Sequence, residues 1–305
     1  MDTNNGEEKK RPGRPRKNRL RAPNPRNGIS TQPYNRDSRI EFVYDHPLIF
    51  KKLWGYYKSM AVEKIQMIFR RDQIIIWGND HHGKSRIRTR INTRNVNHYF
   101  QGTYLDIGVM CSDLEKIMGN IDRSCSEIAF LSRENYAHKN IQFTIKNDMK
   151  IEKNHIVELI GDYPRIENEE EFLDTNYTIQ FVLPGRYFKK MISDMCNLSN
   201  QMTIRQDGVD CPLVFEYITN DKKIKSYDVV RDSSMINFKS NIVEDDTFHV
   251  SVSLDYIKPI SAAFLTENVT IMAHENKNIM FSIIIDEGAI EIKIITDIIN
   301  FRDEL

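Results

Sequence analysis

Two stretches of this chain repeat the same pattern of residues about 140 positions apart. Phe50-Lys51-Lys52-Leu53 matches Phe188-Lys189-Lys190-Met191, and a Phe-Val pair precedes each tetrapeptide. A second match relates the segment 107–117 to the segment 250–260, in which apolar residues occupy equivalent positions. A repeat of this length is too long for a solenoid unit, so it predicts two similar domains fused in one chain.

The segments before and between the repeats define the predicted boundaries. A chain of 305 residues with 40% hydrophobic content can form two ordinary cores. Residues 1–37 are basic and proline-rich with almost nothing apolar to bury, so we predict a disordered tail. Residues 162–175 are acidic, contain a proline and form the predicted interdomain linker. The two domains are therefore predicted at residues 38–161 and 176–305.

Each predicted domain has the order strand, helix, strands, helix, strands, which is an α+β fold class. The four helices have an apolar stripe on one side and basic residues on the other. The first begins near Asp45, and the others span Ser112–Ile121, Pro184–Leu198 and Ser253–Leu265. Pro259 predicts a kink or a late start in the last helix. The recurrence of basic residues on helices of both halves favours a shared surface for phosphate groups.

The formal net charge of zero hides an asymmetry between the tail and the rest of the chain. Residues 1–37 carry 10 Lys and Arg against 4 Asp and Glu, whereas residues 38–305 carry 33 against 39. The tail is expected to bind polyanions, and the rest to contact nucleic acid only through local basic patches.

The four cysteines lack metal-ligand spacing, and no N-terminal apolar segment resembles a signal peptide. We therefore expect reduced thiols, no metal or cofactor, no membrane segment and an intracellular location.

The octapeptide Gly78–Ser85 satisfies the phosphate-binding P-loop formula. That loop binds phosphate only when a helix follows it, and Arg86–Asn92 instead alternates like a strand. A hairpin turn is the favoured interpretation, and a P-loop nucleotide hydrolase is kept as an alternative. His81 and His82 are adjacent, so their side chains point apart rather than toward one metal ion. Because no other catalytic arrangement is found, we expect a protein without enzymatic activity.

The tail segment Arg11–Lys17 resembles an AT-hook, a short motif whose Gly-Arg-Pro core lies in the minor groove of A·T-rich DNA. The core matches at Gly13-Arg14-Pro15, but Pro12 stands where an arginine usually precedes the glycine. An ordinary basic tail or a nuclear-import signal explains the segment equally well. A second alternative function is therefore a monomeric DNA-binding protein acting through this tail. Its candidate DNA contacts are Arg11, Arg14, Arg16 and Lys17.

The two similar domains, the basic helices and the acidic linker together resemble the DNA sliding clamp PCNA, over roughly residues 38–300. The local matches are Leu48–Lys58, Pro184–Asp194 and Phe248–Ile260. Within this family the chain is most similar to the PCNA-like proteins of asfarvirus-type large DNA viruses. The segments that carry this closer resemblance are Arg11–Lys17, Asp45–Lys51 and Asn95–Tyr99.

The resemblance implies a ring of three identical chains, with helices lining the inner face around duplex DNA and antiparallel sheets outside. Such a clamp has no active site and no cofactor. It tethers a polymerase, ligase or nuclease that binds through a short peptide motif, and so keeps that enzyme at high effective concentration. For a viral clamp the implied location is the host cytoplasm, at the viral replication site, with the host nucleus as a further option.

The resemblance also assigns roles to residues. The candidate DNA-facing side chains on or beside the helices are Lys51, Lys52, Lys58, Lys116, Arg123, Arg186, Lys189, Lys190 and Lys258. Partner peptides of the family dock beneath the linker, which implicates Tyr163, Ile166, Phe172 and Leu173. Hydrophilic Asn79–Lys84 replaces an apolar loop of the family's partner pocket, so we expect the usual partner motif to bind weakly or differently. The apolar strands Ile128–Leu131 and Thr203–Gln206 are candidates for subunit contacts.

Overall fold

The computed structural model of the chain describes residues 28–133, 139–166, 169–173, 176–208, 211–229, 239–240, 247–262, 267–275 and 277–299. Arg11, Arg14, Arg16 and Lys17, the predicted DNA contacts of the tail, lie outside the described residues. The elements before the linker are β1 (Ser38–Tyr44), α1 (Pro47–Ser59), β2 (Lys64–Phe69), β3 (Gln73–Asn79), β4 (Ser85–Asn92), β5 (His98–Gln101), β6 (Leu105–Met110), α2 (Cys111–Gly119), β7 (Cys125–Arg133), β8 (Asn140–Asn147) and β9 (Glu152–Glu158). The elements after it are β10 (Ile179–Pro184), α3 (Gly185–Cys196), β11 (Gln201–Gln206), β12 (Leu213–Ile218), β13 (Ile224–Val229), β14 (Lys239–Ser240), β15 (Phe248–Ser253), α4 (Leu254–Ala262), β16 (Asn268–Ala273), β17 (Asn278–Ile285) and β18 (Ile290–Asp297). The succession strand, helix, strands, helix, strands thus occurs on both sides of the linker.

The four helices lie close to the segments that apolar periodicity predicts. Phe50 of α1 and Phe188 of α3 occupy equivalent positions of the repeat, and both side chains are fully buried. Met191 is buried with Phe188 on the same side of α3, as the spacing predicts. Pro259 lies inside α4, which begins at Leu254, so the predicted late start of this helix is not observed.

Three antiparallel sheets contain the strands of the described chain. One has the order β5-β1-β7-β8-β9 and another the order β13-β12-β11-β15. The third is a nine-stranded sheet with the order β14-β10-β16-β17-β18-β4-β3-β2-β6. In this sheet β4 pairs with β18 from Ile91 opposite Ile290 to Ser85 opposite Thr296. This β4–β18 seam joins the first part of the chain to its last strand by backbone hydrogen bonds.

The helices form one layer on the sheets and cover a continuous hydrophobic core. α1 packs against α2 and α4, and α4 packs against α3. Because successive strand residues face opposite sides, Ile292 and Ile294 of β18 enter this core while Ile295 faces away from it. A smaller cluster lies around Ile295 on the opposite face of the nine-stranded sheet. This outer-face cluster consists of Trp77, Phe172, Tyr177, Met272, Met280 and Ile295, with Ile166 packed against it.

Two predictions about strands are wrong. Ile128–Leu131 lies in β7, which pairs with both β1 and β8, and Thr203–Gln206 lies in β11, which pairs with both β12 and β15. Neither strand therefore has a free edge. Their apolar residues are explained by burial inside a sheet and do not indicate a missing neighbour. The apolar residues of Ile156–Ile160 predict a strand there, but the observed strand, β9, spans Glu152–Glu158 and is the last one of its sheet.

The cysteines behave as isolated thiols. Cys111, Cys125, Cys196 and Cys211 are all free, as predicted. Burial, with a smaller effect of Glu115, raises the pKa of Cys111 to about 11, so this thiol stays protonated at neutral pH. Within the part of the chain that the structure describes, no helix is long and apolar enough to span a membrane.

Candidate nucleic-acid interface and linker site

The predicted DNA-facing cations lie on the exposed side of the helix layer. Lys51 and Lys52 on α1 and Lys189 and Lys190 on α3 are exposed, while the phenylalanine that precedes each pair is buried. This arrangement follows from the helical period, since a residue and its neighbour are about 100° apart around the axis. The other predicted cations on the helices are exposed as well: Lys58, Lys116, Arg186 and Lys258.

The lysines of α1 and α2 are largely engaged with groups of the protein itself. Lys58 forms an ion pair with Glu115 of α2, and Lys116 pairs with Asp113 at 2.9 Å. Lys51 donates a hydrogen bond to the backbone carbonyl of Ile121 at 2.6 Å. Apolar periodicity could not reveal the pairing of Lys58, because its carboxylate belongs to another helix. The positive charge that this half offers to a ligand is therefore reduced.

The cations of α3, unlike most of those on α1 and α2, are not engaged with other groups of the described chain. Among the described residues, Arg186, Lys189 and Lys190 have no ion pair or side-chain hydrogen bond, and all three are exposed. The same holds for Lys52 of α1 and for Arg123, which lies beyond the end of α2. The positive charge available to a polyanion is therefore concentrated on α3, with Lys52 and Arg123 as additions from the first half.

A cleft of about 640 Å³ lies where α1, α2, α4 and the turn between β3 and β4 meet. Lys58 and the neighbouring His81 each have a carboxylate partner, since His81 Nδ1 lies 3.4 Å from an oxygen of Glu63. Glu115 and Asp255 also line the cleft. Carboxylates thus outnumber unpaired cations there, which makes the cleft unsuitable for a triphosphate.

The segment Gly78–Ser85 is a hairpin turn, as predicted, and not a P-loop. It connects β3 to β4, and its backbone is closed by a hydrogen bond from the Asp80 amide to the Ser85 carbonyl at 2.9 Å. Ser85, whose hydroxyl would have to reach a metal ion, is buried and donates to Thr296 Oγ1 at 3.0 Å. The described residues also contain no group of three His, Cys, Asp or Glu side chains that could hold a metal ion.

The first part of the linker runs across β6 and β2. The Tyr163 hydroxyl donates to Asp106 at 3.2 Å, and the Ile166 amide donates to the side-chain oxygen of Gln66 at 2.8 Å. The ring of Tyr163 lies so close to Gly108 that a Cβ atom there would be 2.0 Å from it. Glycine at this position therefore permits the close approach of the linker.

Two arginines hold the next part of the linker: Arg88, which is buried, and Arg70, which is half-buried. Glu169, at the start of the 3₁₀ turn Glu169–Phe172, receives a hydrogen bond from Arg88 at 2.8 Å and two from Arg70, at 3.0 and 3.4 Å, one on each carboxylate oxygen. The side chain of Arg88 is only 2% exposed. Although burial raises the pKa of Glu169, the contacts with Arg88 and Arg70 lower it more, so the carboxylate is ionised.

The end of the same turn places Phe172 in the outer-face cluster. The ring is fully buried and meets Trp77 edge to face at 5.1 Å between ring centres. Lys293 of β18, which is 13% exposed, donates to the backbone carbonyl of Phe172 at 2.6 Å. Leu173, the next residue, is 55% exposed. We call Glu169, Phe172 and the groups that hold them the linker site.

The four predicted partner contacts differ in how exposed they are. Phe172 is buried by its own chain and so presents no surface to a partner in this conformation. Tyr163 and Ile166 are half-buried, and Leu173 alone among the four predicted residues is well exposed. The sequence pattern did not predict the groups that anchor the linker turn: Glu169, Arg70, Arg88 and Lys293. The available signals were the alternating arginines of β4 and the run of glutamates in the linker, which are complementary in charge.

No protein-family model matches the chain. It is 30% identical over 279 residues to an uncharacterized protein of African swine fever virus, isolate Pig/Kenya/KEN-50/1950, a match that covers 88% of this chain and 91% of the relative. The same viral protein from the Badajoz 1971 Vero-adapted strain matches equally well. Among solved structures, the proliferating cell nuclear antigen of Entamoeba histolytica matches with a TM-score of 0.71, over 86% of this chain and 100% of that one, at 13% identity. The chain therefore has the fold of PCNA.

Proposed function

We propose that the chain, which belongs to the same family as this African swine fever virus protein, is a DNA sliding clamp. Three copies would form a ring around duplex DNA and tether the enzymes that replicate and repair it. In this proposal residues 38–161 and 176–305 are two tandem clamp domains joined by the linker 162–175, and the relatives share the function.

The observation that carries the proposal is the likeness of fold to a PCNA over the whole length of that protein. The PCNA-like fold supports a scaffold without catalytic activity. A ring holds DNA by enclosure, so its retention depends on topology more than on the strength of any one contact. An enzyme bound to such a ring remains at high local concentration beside the DNA.

The helix layer is the proposed DNA-facing surface. Its helices carry Lys52, Arg186, Lys189 and Lys190, which are exposed and, among the described residues, unpaired. Flexible lysines and arginines on an exposed helix face can contact phosphate without reading sequence. Such contacts suit a clamp that must slide, because no base is recognised. Lys51, Lys58 and Lys116 would contribute less, since each already has a partner within the chain.

Self-association is proposed to occur through β9 and β13. Each is the last strand of its sheet, and each exposes an isoleucine: Ile156 is 71% and Ile224 is 70% exposed. An unpaired strand edge with an exposed apolar side chain is a template for pairing with another chain. Pairing β9 of one copy with β13 of the next is a head-to-tail contact, which can close into a ring of three.

The basic tail is proposed to add further contacts to DNA. Arg11, Arg14, Arg16 and Lys17 would hold the DNA by its phosphates, with minor-groove contact at A·T-rich sites. The partners are proposed to be a polymerase, a ligase or a nuclease with a short peptide motif. The site of action is the host cytoplasm, where viral DNA replicates, with the host nucleus as a second location.

The test combines mass in solution with retention on DNA of defined topology. The protein is threaded onto linear duplex, the ends are ligated in half of the sample, and both halves are washed at high salt. We expect a mass of three chains of 35.9 kDa each, with retention on ligated circles and loss from linear DNA. A strict monomer, or equal retention on both forms, would contradict the clamp. A monomer retained equally on both would instead support DNA binding through the tail.

A further inference from the structure

A groove of about 440 Å³ lies beside β6, the last strand of the nine-stranded sheet. Leu105 and Ile107 of this strand belong to the hydrophobic core beneath the helices, so Asp106 and Gly108 face the opposite side of the sheet. All four residues line the groove, which is therefore separate from the helix layer. Its volume is within the range of about 300–1,000 Å³ that is typical of small-ligand sites.

Arg39 places an unpaired positive charge in this groove. Among the described residues its guanidinium has no ion pair and no hydrogen-bond partner, and its Nε is buried. Arg39 lies at a β-bulge, since the pairing of β1 with β7 shifts register between Ser38 and Ile40. A bulge aims a side chain out of the regular alternation of a strand. Because buried charged groups are normally paired, an arginine in this state indicates an anionic ligand.

A second cation and a bonded carboxylate complete the polar lining of the groove. The guanidinium of Arg165 lies over the ring of Tyr163, 5.7 Å from its centre, and has no ion pair within the described chain. Asp106 accepts hydrogen bonds from Gln66 Nε2 at 2.9 and 3.0 Å and from the Tyr163 hydroxyl at 3.2 Å. The oxygens of this carboxylate are thus occupied, while the two guanidinium groups are available. Such a pair of arginines suits a phosphate group.

Tyr104 adds an exposed aromatic ring to the same groove. It precedes β6, lines the groove and is 63% exposed. Aromatic side chains that stand beside cations are the usual platforms on which the bases of single-stranded nucleic acid stack. A base inside a duplex is already stacked between its neighbours, so only an unpaired base can lie on this ring. The phosphate and the aromatic ring together therefore point to a nucleotide of a single strand.

We propose that this groove binds one nucleotide of single-stranded DNA, with the phosphate held by Arg39 and Arg165 and the base stacked on Tyr104. The site goes beyond the clamp proposal, because it lies outside the helix layer and takes unpaired rather than duplex DNA. On a ring that encloses duplex it would hold an unpaired strand against the outside of the protein. Contacts to phosphate and to the face of a base make this binding independent of sequence.

The first measurement is the affinity of the full chain for a fluorescent oligothymidylate of about 12 nucleotides, followed by anisotropy. We expect Arg39→Gln and Tyr104→Ala each to lose about fivefold or more in affinity. Tyr104→Phe retains the ring and is expected to bind like the wild type. Lys277→Gln removes an exposed cation from the turn between β16 and β17, and this matched control should also bind like the wild type.

The second measurement locates the contact even if the basic tail supplies much of the affinity. The same oligonucleotide carries iodouracil, which cross-links to a stacked aromatic side chain on irradiation, and mass spectrometry identifies the linked residue. We expect Tyr104 to be linked, and the yield to fall in Arg39→Gln. If Arg39→Gln does not fold, Arg39→Lys keeps the charge without the fork and should give a yield below that of the wild type.

Three results would overturn the proposal. One is equal affinity of the wild type, Arg39→Gln and Tyr104→Ala for the oligonucleotide. Another is cross-linking that maps only to the helices or to the tail. The third is binding of a fluorescent hexaglutamate peptide with the same affinity and the same dependence on Arg39, which would assign the groove to acidic peptides instead.

The outcome is separable from that of the clamp itself. The same preparations are measured for mass and for retention on ligated circles, and Arg39→Gln and Tyr104→Ala should match the wild type in both. Trimers retained on circles that show no dependence of single-strand binding on these residues would refute the groove proposal and leave the clamp intact. Single-strand binding that depends on Arg39 and Tyr104, in a monomer without topological retention, would support the groove and refute the clamp.

Discussion

At the residue scale, the Glu41 carboxylate accepts four hydrogen bonds. It accepts hydrogen bonds from the amides of Tyr34 and Asn35 at 2.7 and 2.8 Å, from the Ser38 hydroxyl at 2.7 Å and from His98 Nε2 at 2.9 Å. The ring of Tyr34 stacks on His98 at 3.8 Å. A single buried side chain in β1 thus fixes the segment through which the basic tail joins the folded part of the chain.

We expect Glu41→Gln to lower the free energy of unfolding by about 1–3 kcal/mol at neutral pH, because it leaves buried donors with a poorer acceptor. Urea denaturation of the variant and the wild type measures this difference. Glu275→Gln, at an exposed position of the turn between β16 and β17, is the matched control and should change stability by less than about 0.5 kcal/mol. A Glu41→Gln variant as stable as this control would show that the network does not stabilise the fold.

The same residue gives the stability a pH dependence of known sign. Burial raises the pKa of Glu41, but hydrogen bonds from Tyr34, Asn35, Ser38 and His98 lower it more, so the folded pKa lies below the ordinary value of 4.5. The stabilisation by the carboxylate is therefore complete above pH 4.5 and is lost as the pH falls through the folded pKa. The stability difference between wild type and Glu41→Gln should shrink in acid, and an undiminished difference at about pH 3 would contradict this.

At the scale of elements, α3 should contribute more to DNA binding than α2. Lys190 of α3 is unpaired among the described residues, whereas Lys116 of α2 is paired with Asp113. We expect Lys190→Gln to weaken binding to a short duplex and to reduce the slope of log affinity against log salt by about 0.9. The same exchange at Lys116 serves as the control and should have little effect.

Both lysines are exposed, so neither exchange should alter thermal unfolding measurably. Anisotropy titrations across a range of salt concentrations provide the comparison. Equal losses from the two variants would mean that the ion pair in α2 does not reduce the charge available to DNA.

Sequence periodicity predicted what is local in these elements. The stripe of Phe188 and Met191 located α3 and its buried side, because helical spacing alone determines which residues share a face. It could not predict that Lys58 meets Glu115 on another helix. Sequence periodicity also could not predict the burial of Phe172, since its pocket combines strands from both halves of the chain. β9 was misplaced because its edge position leaves it polar and exposes Ile156.

At the scale of the whole molecule, ring formation should depend on the two edge strands proposed as subunit contacts, β9 and β13. We expect Ile224→Lys on β13 to reduce the mass in solution from three chains to one chain of 35.9 kDa, because an ammonium group disfavours strand pairing between subunits. Light scattering measures the mass, and retention on ligated circles should be lost together with the trimer.

The matched control is Ile284→Lys. Ile284 is also exposed, but its strand, β17, lies inside the nine-stranded sheet and has no free edge. We expect this variant to stay trimeric. A trimeric Ile224→Lys protein would place the subunit contact elsewhere on the molecule.

The β4–β18 seam also determines when the nine-stranded sheet can be completed during translation. β4 ends at Asn92, but its neighbour begins only at Ile290, about 200 residues later. At roughly 5–20 residues per second, translation leaves the strand without that neighbour for roughly 10–40 s. Throughout this interval the nascent sheet presents an open edge, which is the kind of surface that recruits chaperones or aggregates. The two halves have the same order of elements, yet the first half cannot complete its sheet until β18 has been translated.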